Sequence, residues 1–229
     1  MRVIFFDIDG TLIRSAGAGK LALAKALQEP AFDVEDPNVD IDFGGRTDLS
    51  ICKELFEINK IPYSESLQQE FFNTYLKHLE SRLSEMTCGT VLPGVSDLLD
   101  QLMEVPNTFV GIITGNLEKG AFLKLAHFGL DHFFTFGGFG DNHEARSKIA
   151  EEGFERAQAI VGRPLSTDQV TVIGDTDKDV FCARAIGARA IAVKNGFGSV
   201  ASLEKAQPDH LLDDLGHTES VLELLLQGS

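Results

Sequence analysis

The sequence predicts an α/β fold, in which helices cover both faces of a parallel sheet, with a helical subdomain inserted near the N-terminus. Short apolar runs typical of buried strands recur along the chain and alternate with segments of helical spacing. One interval, residues 15–88, has helical segments but no convincing buried strand. Strands that alternate with helices favour a parallel sheet, and the long interruption is typical of an insertion.

Five apolar runs are the predicted strands of this sheet, at residues 3–8, 110–114, 133–136, 170–173 and 190–193. The first, VIFFDI, is rich in β-branched and aromatic side chains, as expected for a strand buried on both faces. It then continues into two carboxylates one residue apart, Asp7 and Asp9. Like charges this close repel, so the pair is unfavourable unless a cation lies between them.

Helical spacing predicts the elements between these strands. Behind Pro93, a residue tolerated in a first helical turn, apolar side chains recur at i, i+3, i+4 and i+7 from Val95. The predicted helices are residues 21–27, 49–58, 66–86, 95–102, 145–161 and 180–188. The longest, 66–86, has an apolar stripe that we interpret as core: Phe72, Leu76, Leu79, Leu83 and Met86.

Composition narrows the class of protein. The chain of 229 residues suits one sizeable domain, or a domain with a smaller insert. With 35 acidic and 20 basic residues its formal charge is −15, so it lacks the basic surface that nucleic-acid backbones require. No apolar run approaches the roughly 20 residues of a membrane span, and acidic residues interrupt the N-terminal run, unlike in a signal peptide.

Cysteine usage agrees with an intracellular location. The three cysteines are odd in number, widely scattered and without metal-ligand spacing: Cys52, Cys88 and Cys182. Free thiols in a reducing compartment are the simplest interpretation. We therefore expect a cytoplasmic protein, a monomer or weak homodimer, with no nucleic-acid or membrane partner.

Polar residues follow three of the predicted strands, in the segments DIDGT (7–11), ITGN (113–116) and IGDTDKD (173–179). In open α/β sheets, ligands bind outside the carboxyl ends of the strands. We therefore expect these segments to gather one set of side chains at a single edge: Asp7, Asp9, Thr114, Asn116, Asp175 and Asp179. A hard divalent cation with oxygen ligands would relieve the repulsion among four carboxylates, so the sequence predicts a Mg²⁺ site and reaction centre.

These residues resemble the four motifs of the haloacid dehalogenase (HAD) superfamily of hydrolases. DIDGT, ITG, a basic residue at the start of a later helix and GDTDKD occur in the family's order. The resemblance implies a Rossmann-like three-layer core at residues 1–14 and 89–229, and a small helical cap at residues 15–88. A cap after the first strand is similar to that of phosphoglycolate phosphatase and β-phosphoglucomutase relatives.

The resemblance also implies catalytic and metal-binding roles. Asp7 would be the nucleophile that takes the phosphoryl group as an aspartyl-phosphate. Asp9 would be the general acid for the leaving oxygen and then the base that activates water. The side chains of Asp7 and Asp175 and the backbone carbonyl of Asp9 would hold Mg²⁺, and Asp179 would bind the ion or its water.

Substrate contacts are expected from the loops around this site. Thr114 and backbone N–H groups near Gly115 would bind phosphoryl oxygens. In FGGRTDLS, Arg46 would face the core site, because a planar guanidinium suits carboxylate or phosphate; the alternative is an exposed arginine on a solvated turn. The remaining expected substrate contacts are Gly10, Thr11 and Asn116.

The family's third motif has two candidates, Arg146 and Lys148. The Lys-Pro pattern of some members is absent. Counted back from FERA (154–157), Arg146 lies where the arginine of Arg-containing relatives lies, so we favour it. Either cation could bridge the nucleophile and the bound phosphate, and the other would be a charge on the helix surface.

The resemblance implies a Mg²⁺-dependent phosphatase that acts on a small phosphorylated metabolite. The in-class alternative is a phosphomutase similar to β-phosphoglucomutase. From another class, the chain could be a phosphometabolite-binding module of low turnover. Asp9 disfavours that module, because binding alone needs no acid for a leaving group.

Overall fold

A computed structural model describes residues 1–227 of the chain. Its eight strands are β1 (Arg2–Phe6), β2 (Ile13–Arg14), β3 (Thr90–Val91), β4 (Thr108–Ile113), β5 (Gly137–Gly138), β6 (Val170–Gly174), β7 (Arg189–Val193) and β8 (His210–Leu212). Six of them form one parallel sheet in the order β5-β4-β1-β6-β7-β8. The other two, β2 and β3, form a short antiparallel pair.

The α-helices of the described residues are α1 (Ala18–Leu27), α2 (Asp48–Ile58), α3 (Glu65–Glu85), α4 (Val95–Glu104), α5 (Glu118–His127), α6 (Arg146–Val161), α7 (Asp177–Ala185), α8 (Val200–Ala206) and α9 (Thr218–Leu226). Helices follow the strands of the parallel sheet, which confirms the predicted α/β class. Six of these helices were predicted from spacing; α5, α8 and α9 were not.

The side chains of β1 point alternately to the two faces of the sheet, which explains why the core has two layers. Ile4 and Phe6 belong to a cluster with the apolar faces of α4, α5 and α9, whereas Val3 and Phe5 pack with α6, α7 and α8. Successive strand residues point to opposite faces, so a run that is apolar at every position must be covered on both sides. The central strand is therefore held rigidly on both faces.

The strand predicted at residues 133–136 is wrong. Residues 131–133 form a 3₁₀ turn, and pairing with β4 begins only at Gly137 and Gly138. The aromatic run is buried as core instead, with the Phe136 ring edge-on to Phe5 at 5.7 Å. Glycine is needed in β5 because a Cβ on Gly138 would overlap the backbone of Ile149 in α6.

A third apolar cluster joins α1, α2 and α3 and includes Leu117 at the start of α5. Its centre is aromatic, with Phe56 and Phe71 edge-on at 5.3 Å between ring centroids. Of the predicted stripe on α3, Phe72, Leu79 and Leu83 are buried and the other two side chains are partly buried. We refer to residues 15–88 as the cap; Leu117, outside this range, also belongs to the cluster, and the domain boundaries remain a prediction.

Two smaller features bear on the sequence expectations. No helix within residues 1–227 combines the length and apolar composition that crossing a bilayer requires. All three cysteines are free thiols, with Cys52 and Cys182 buried and Cys88 exposed.

Candidate active site

Three neighbouring strands end at the same edge of the sheet. The central strand β1 pairs in parallel with β4 on one side and β6 on the other. Asp7, Thr114 and Asp175 each directly follow one of these strands, and all three are buried. The predicted gathering of strand-end side chains therefore occurs at this edge.

Asp7, Asp175 and Asp179 form a compact acidic cluster, with one carboxylate oxygen from each within 4.8 Å of the others. Burial raises the pKa of Asp7 well above its ordinary value, and the neighbouring Asp179 raises it further. Burial and then Asp179 likewise raise the pKa of Asp175 to about 7. The cluster thus favours a positive charge among its oxygens, as burial and mutual repulsion require.

The position of Asp179 follows from the start of α7. It is the third residue of the helix and forms a capping box with Thr176, accepting hydrogen bonds from that residue's backbone N–H at 2.9 Å and hydroxyl at 2.7 Å. Its other oxygen accepts from Arg146. Both oxygens of Asp179 therefore have protein partners.

Arg146 is the cation that faces the acidic cluster. It begins α6, is almost fully buried, and pairs with Asp179 and, at 3.5 Å, with Asp7. Burial opposes its charge, but Asp179 and Asp7 raise its pKa above the ordinary value. Within residues 1–227 its buried Nε has no hydrogen-bond partner.

Lys148 does not reach the cluster, so the structure brings only one of the two third-motif candidates to the site. Its side chain is 59% exposed and pairs with Glu151 one turn along α6. The two candidates are two residues apart in sequence, about 200° around a helix, so only one of them can face the core. That one is Arg146.

The Asp9 side chain lies outside the acidic cluster and is held by three donors. Lys124 Nζ donates to its Oδ2 at 2.5 Å, Asn116 Nδ2 donates to the same oxygen at 2.9 Å, and Ser15 Oγ donates to Oδ1 at 3.2 Å. Burial alone would raise the pKa of Asp9, but Lys124 and the other donors hold it below its ordinary value. The side chain is therefore not a member of the metal cluster.

The loop after β4 connects Asp9 to the rest of the site. Asn116 Nδ2 also donates to Thr114 Oγ1 at 2.8 Å, and the Thr114 backbone N–H donates to Gly138 at 3.1 Å. A Cβ on Gly115 would overlap the carbonyl oxygen of Arg46, so the cap backbone contacts this loop directly. Glycine at position 115 allows that close approach.

The loop after β1 packs against Asp175. Gly10 has a φ of +89°, and a Cβ there would lie 2.7 Å from Asp175 Cγ, so both conformation and space require glycine. Thr11 Oγ1 lies 3.5 Å from Asp175 Oδ1. The Phe197 backbone N–H donates to Asp175 Oδ2 at 2.5 Å from the other side. Gly10 and Thr11 therefore shape the acidic cluster.

Arg46 differs from the expectation that its guanidinium faces the core site. It borders the site, but its side chain donates to Glu54 and to the carbonyls of Asp42 at 3.3 Å and Ser50 at 3.1 Å. These acceptors all belong to the cap, since Arg46 precedes α2 and curls back onto it. Its backbone carbonyl, near Gly115, is the part that contacts the core.

Sequence reasoning missed three buried polar residues at the site. Lys124 lies on the unpredicted helix α5, where a lysine inside the run AFLKLA was the available signal. Asp48 begins α2 and accepts from the Leu117 backbone N–H at 2.8 Å, and burial raises its pKa to about 6. Tyr75 is one of several buried aromatic residues of α3, and no local sequence pattern indicates that its hydroxyl lies at the site.

A cavity of about 470 Å³ lies between the cap and the sheet edge, and Asp7 and Asp175 of the cluster line it together with the three missed residues. A second cavity, of about 630 Å³, lies beside α3 and α5, and its lining includes Phe72 and Arg156 but neither Asp7 nor Asp175. Volume alone would not favour the first cavity. The buried carboxylates favour the first, because perturbed acidic groups in a cleft mark reaction centres.

The donor set of the acidic cluster fits a magnesium ion. All its side-chain donors are carboxylate oxygens, and burial leaves Asp7 and Asp175 with raised pKa values that a cation would lower. The residues that would hold the ion are Asp7, Asp175 and Asp179, the last directly or through water, with the Asp9 backbone carbonyl proposed beside them. No sulfur or imidazole ligand belongs to the cluster.

Comparison with known proteins gives the same family from independent information. Phosphoglycolate phosphatase of Synechococcus elongatus is 29% identical over 214 residues, which cover 93% of each chain. A structure from Haemophilus somnus 129pt, described as a predicted phosphoglycolate phosphatase, has a TM-score of 0.71 at 21% identity and covers 96% of this chain and 97% of that one.

A structure from Thermotoga maritima, provisionally described as a β-phosphoglucomutase, has a TM-score of 0.65 at 18% identity and covers 99% of this chain and 100% of that one. At such identities these structures establish the fold alone. A sequence model of the family described as haloacid dehalogenase-like hydrolase matches residues 4–193, which include all three strand-end motifs. The chain therefore belongs to the haloacid dehalogenase-like hydrolase family.

Proposed function

We propose that this protein is a Mg²⁺-dependent phosphatase that hydrolyses a small phosphorylated metabolite through an aspartyl-phosphate on Asp7. The observation that carries the proposal is the buried cluster of Asp7, Asp175 and Asp179, faced by Arg146, with Asp7 and Asp175 lining the cavity. Phosphoryl transfer needs a nucleophile beside positive charge and a proton donor for the leaving group. Asp9 is the candidate donor.

In the first step, a carboxylate oxygen of Asp7 attacks phosphorus and the bond from phosphorus to the leaving oxygen breaks. Asp9, two residues away, delivers its proton to that oxygen, which leaves as an alcohol. Hydrogen bonds from Lys124, Asn116 and Ser15 fix the orientation of the Asp9 carboxyl group. Orientation of this kind lowers the barrier because the reacting groups need not be ordered during the step.

In the second step, Asp9 is an ionised carboxylate and takes a proton from water. The oxygen of that water attacks phosphorus, the bond to Asp7 breaks, and inorganic phosphate is released. The donors that lower the pKa of Asp9 favour the ionised form that takes the proton in the second step, whereas the first step uses the protonated form. When bound, Mg²⁺ would neutralise negative charge on the phosphoryl oxygens and on the carboxylates around them.

Arg146 and the loop after β4 supply donors for the phosphoryl group. The buried Nε of Arg146 has no partner within the described residues, and the guanidinium lies beside Asp7. Thr114 and the Gly115 backbone lie at the end of the neighbouring strand and line the same cavity. A guanidinium can approach phosphate with two parallel N–H groups, which suits a transferring phosphoryl group.

The cavity and the relatives point to a small substrate. A volume of about 470 Å³ holds a metabolite of a few carbons with its phosphate, and the cap closes over it. The curated relative from Synechococcus elongatus is a phosphoglycolate phosphatase, so we propose 2-phosphoglycolate as the first substrate to test. A closed cap would exclude bulk water from the phospho-intermediate except for the attacking molecule.

The test is phosphate release from a panel of phosphorylated metabolites, with and without Mg²⁺, by wild type and Asp7→Asn. The proposal expects release that requires both the metal and Asp7. The panel includes β-glucose 1-phosphate, because formation of glucose 6-phosphate without free phosphate would indicate a mutase instead. Metal-independent release, or full activity of Asp7→Asn, would refute the mechanism.

A further inference from the structure

Beside Asp9, the cavity wall contains Gly19, Tyr75 and Lys124. We propose that these three residues form a subsite that binds a carboxylate on the leaving group of the substrate. The inference rests on the proposed phosphatase function and narrows it to phosphorylated carboxylic acids. We refer to the three residues as the carboxylate subsite.

Lys124 is the cation of the subsite. Its side chain is 5% exposed, and its ammonium donates to Asp9 Oδ2 at 2.5 Å and to Asn116 Oδ1 at 2.7 Å. An ammonium has three N–H donors, so these two bonds leave one for a ligand. A buried lysine is rare without partners for its charge, and this one borders the cavity directly.

Tyr75 supplies a second donor. Its side chain is buried on α3, its hydroxyl lies at the cavity wall, and within residues 1–227 no side chain or backbone group is hydrogen-bonded to it. Burial, Asp48 and Asp9 raise the pKa of Tyr75 well above its ordinary value, so the hydroxyl keeps its proton. A buried tyrosine hydroxyl normally has a partner, and here a ligand can provide it.

Gly19 keeps the space between these two donors open. It lies in the first turn of α1, where glycine is disfavoured relative to alanine and its φ is not positive. A Cβ there would meet the Tyr75 hydroxyl at 3.6 Å and Lys124 Nζ at 3.9 Å, which are ordinary contacts. Packing therefore does not require glycine, but a methyl group would fill the space between the donors.

The position of the subsite selects the part of the substrate that it binds. Asp9 contacts Lys124 and, in the proposed function, protonates the oxygen that leaves phosphorus. In a phosphorylated 2-hydroxy acid the carboxylate is one carbon from that oxygen, so it would lie beside the ammonium. The other acid at this wall, Asp48, is already hydrogen-bonded to the Leu117 backbone N–H, which leaves the Lys124 and Tyr75 donors to the ligand.

The test compares two substrates that differ at one group: 2-phosphoglycolate and 2-hydroxyethyl phosphate, in which a hydroxymethyl group replaces the carboxylate. Wild type should have the higher kcat/KM for 2-phosphoglycolate. Lys124→Met should reduce the ratio of the two kcat/KM values by about tenfold to a hundredfold, the range expected for hydrogen bonds to a charged group. Tyr75→Phe and Gly19→Ala should reduce it by smaller factors.

The control variant is Lys119→Met, which removes an exposed lysine from the same helix and should leave the ratio unchanged. Lys124→Met also removes a partner of Asp9 and so lowers turnover of both substrates. A loss that is equal for the two substrates would overturn the inference, because it would show that Lys124 only orients Asp9.

Calorimetry separates failure of the subsite from failure of the proposed function. In the Asp7→Asn background, 2-phosphoglycolate should bind about tenfold or more weakly once Lys124→Met is added, while inorganic phosphate binds about equally to both. Equal affinities for 2-phosphoglycolate would overturn the subsite. Absence of phosphate release from either substrate by wild type would refute the phosphatase proposal, and the binding result would still decide the subsite.

Discussion

Asp48 provides the sharpest test of the electrostatics at the junction of cap and core. Its carboxylate is buried beneath α2 and accepts one hydrogen bond, from the Leu117 backbone N–H. Burial raises its pKa from an ordinary value of 3.8 to about 6, and Lys124 offsets only part of that rise. The folded protein therefore holds this proton more tightly than the unfolded chain does.

Proton linkage determines whether ionisation of Asp48 makes the folded protein more or less stable as pH rises. Between pH 4 and pH 6 the folded state binds more protons at Asp48 than the unfolded state, so stability falls as pH rises. A difference of about two pKa units corresponds to about 3 kcal/mol, of which about 2 kcal/mol falls between pH 4 and pH 7. Asp48→Asn, which keeps an acceptor for Leu117, should remove this loss.

The assay is urea unfolding of the metal-free protein at pH 4, 5, 6 and 7. The free energy of unfolding of Asp48→Asn minus that of wild type should increase with pH by about 2 kcal/mol over this range. A constant difference caused by the new amide does not affect that slope. Asp100→Asn, an exposed position on α4, is the matched control. A flat difference for Asp48→Asn, as for the control, would refute the reasoning.

Three further predictions concern other parts of the site. Arg146→Met should destabilise the metal-free protein by about 3 kcal/mol, since buried carboxylates lose their cation, whereas Lys148→Met should change unfolding by less than about 0.5 kcal/mol. Mg²⁺ at about 100 times its Kd should stabilise wild type by about 2.7 kcal/mol in thermal unfolding, and Asp175→Asn by clearly less. Gly115→Ala should reduce both stability, by about 1–3 kcal/mol, and kcat/KM, because its methyl group displaces the Arg46 loop.

Each of these has a result that contradicts it. Equal destabilisation by the Arg146 and Lys148 substitutions would mean that the cluster does not depend on the buried cation. A Mg²⁺-induced shift in Asp175→Asn as large as in wild type would place the ion elsewhere. Wild-type stability and turnover in Gly115→Ala would show that the cap loop does not rest on the end of β4.

The local sequence pattern was sufficient to predict the buried strands and the polar residues that follow them. The runs that became β1, β4 and β6 are apolar at successive positions, and a strand buried on both faces produces that pattern wherever it lies in the chain. Polar residues that end such strands must lie at one edge of a parallel sheet, so Asp7, Thr114 and Asp175 could be grouped without coordinates. Their roles in catalysis remain a prediction.

Local pattern was misleading where packing overrode preference. The aromatic residues of 133–136 favour a strand, yet they are buried as core before the short strand at Gly137 and Gly138 begins. Glycine is weakly suited to strands, but here α6 approaches so closely that no side chain fits at position 138. The orientation of Arg46 was also mispredicted from local pattern. Its side chain donates to Glu54 and Ser50 of the following helix, α2, and not to the core.

The sequence by itself determined the α/β class, the family and the acidic residues of the site, because these depend on short-range pattern and on motifs a few residues long. Only the tertiary structure decided between Arg146 and Lys148, and only it revealed Lys124 beside Asp9, 115 residues away in sequence. Which face of a helix meets a strand end depends on how layers pack, and that packing is a sum over the whole chain. The lysine inside the apolar run of α5 is a local signal of burial, but nothing local identifies Asp9 as its partner.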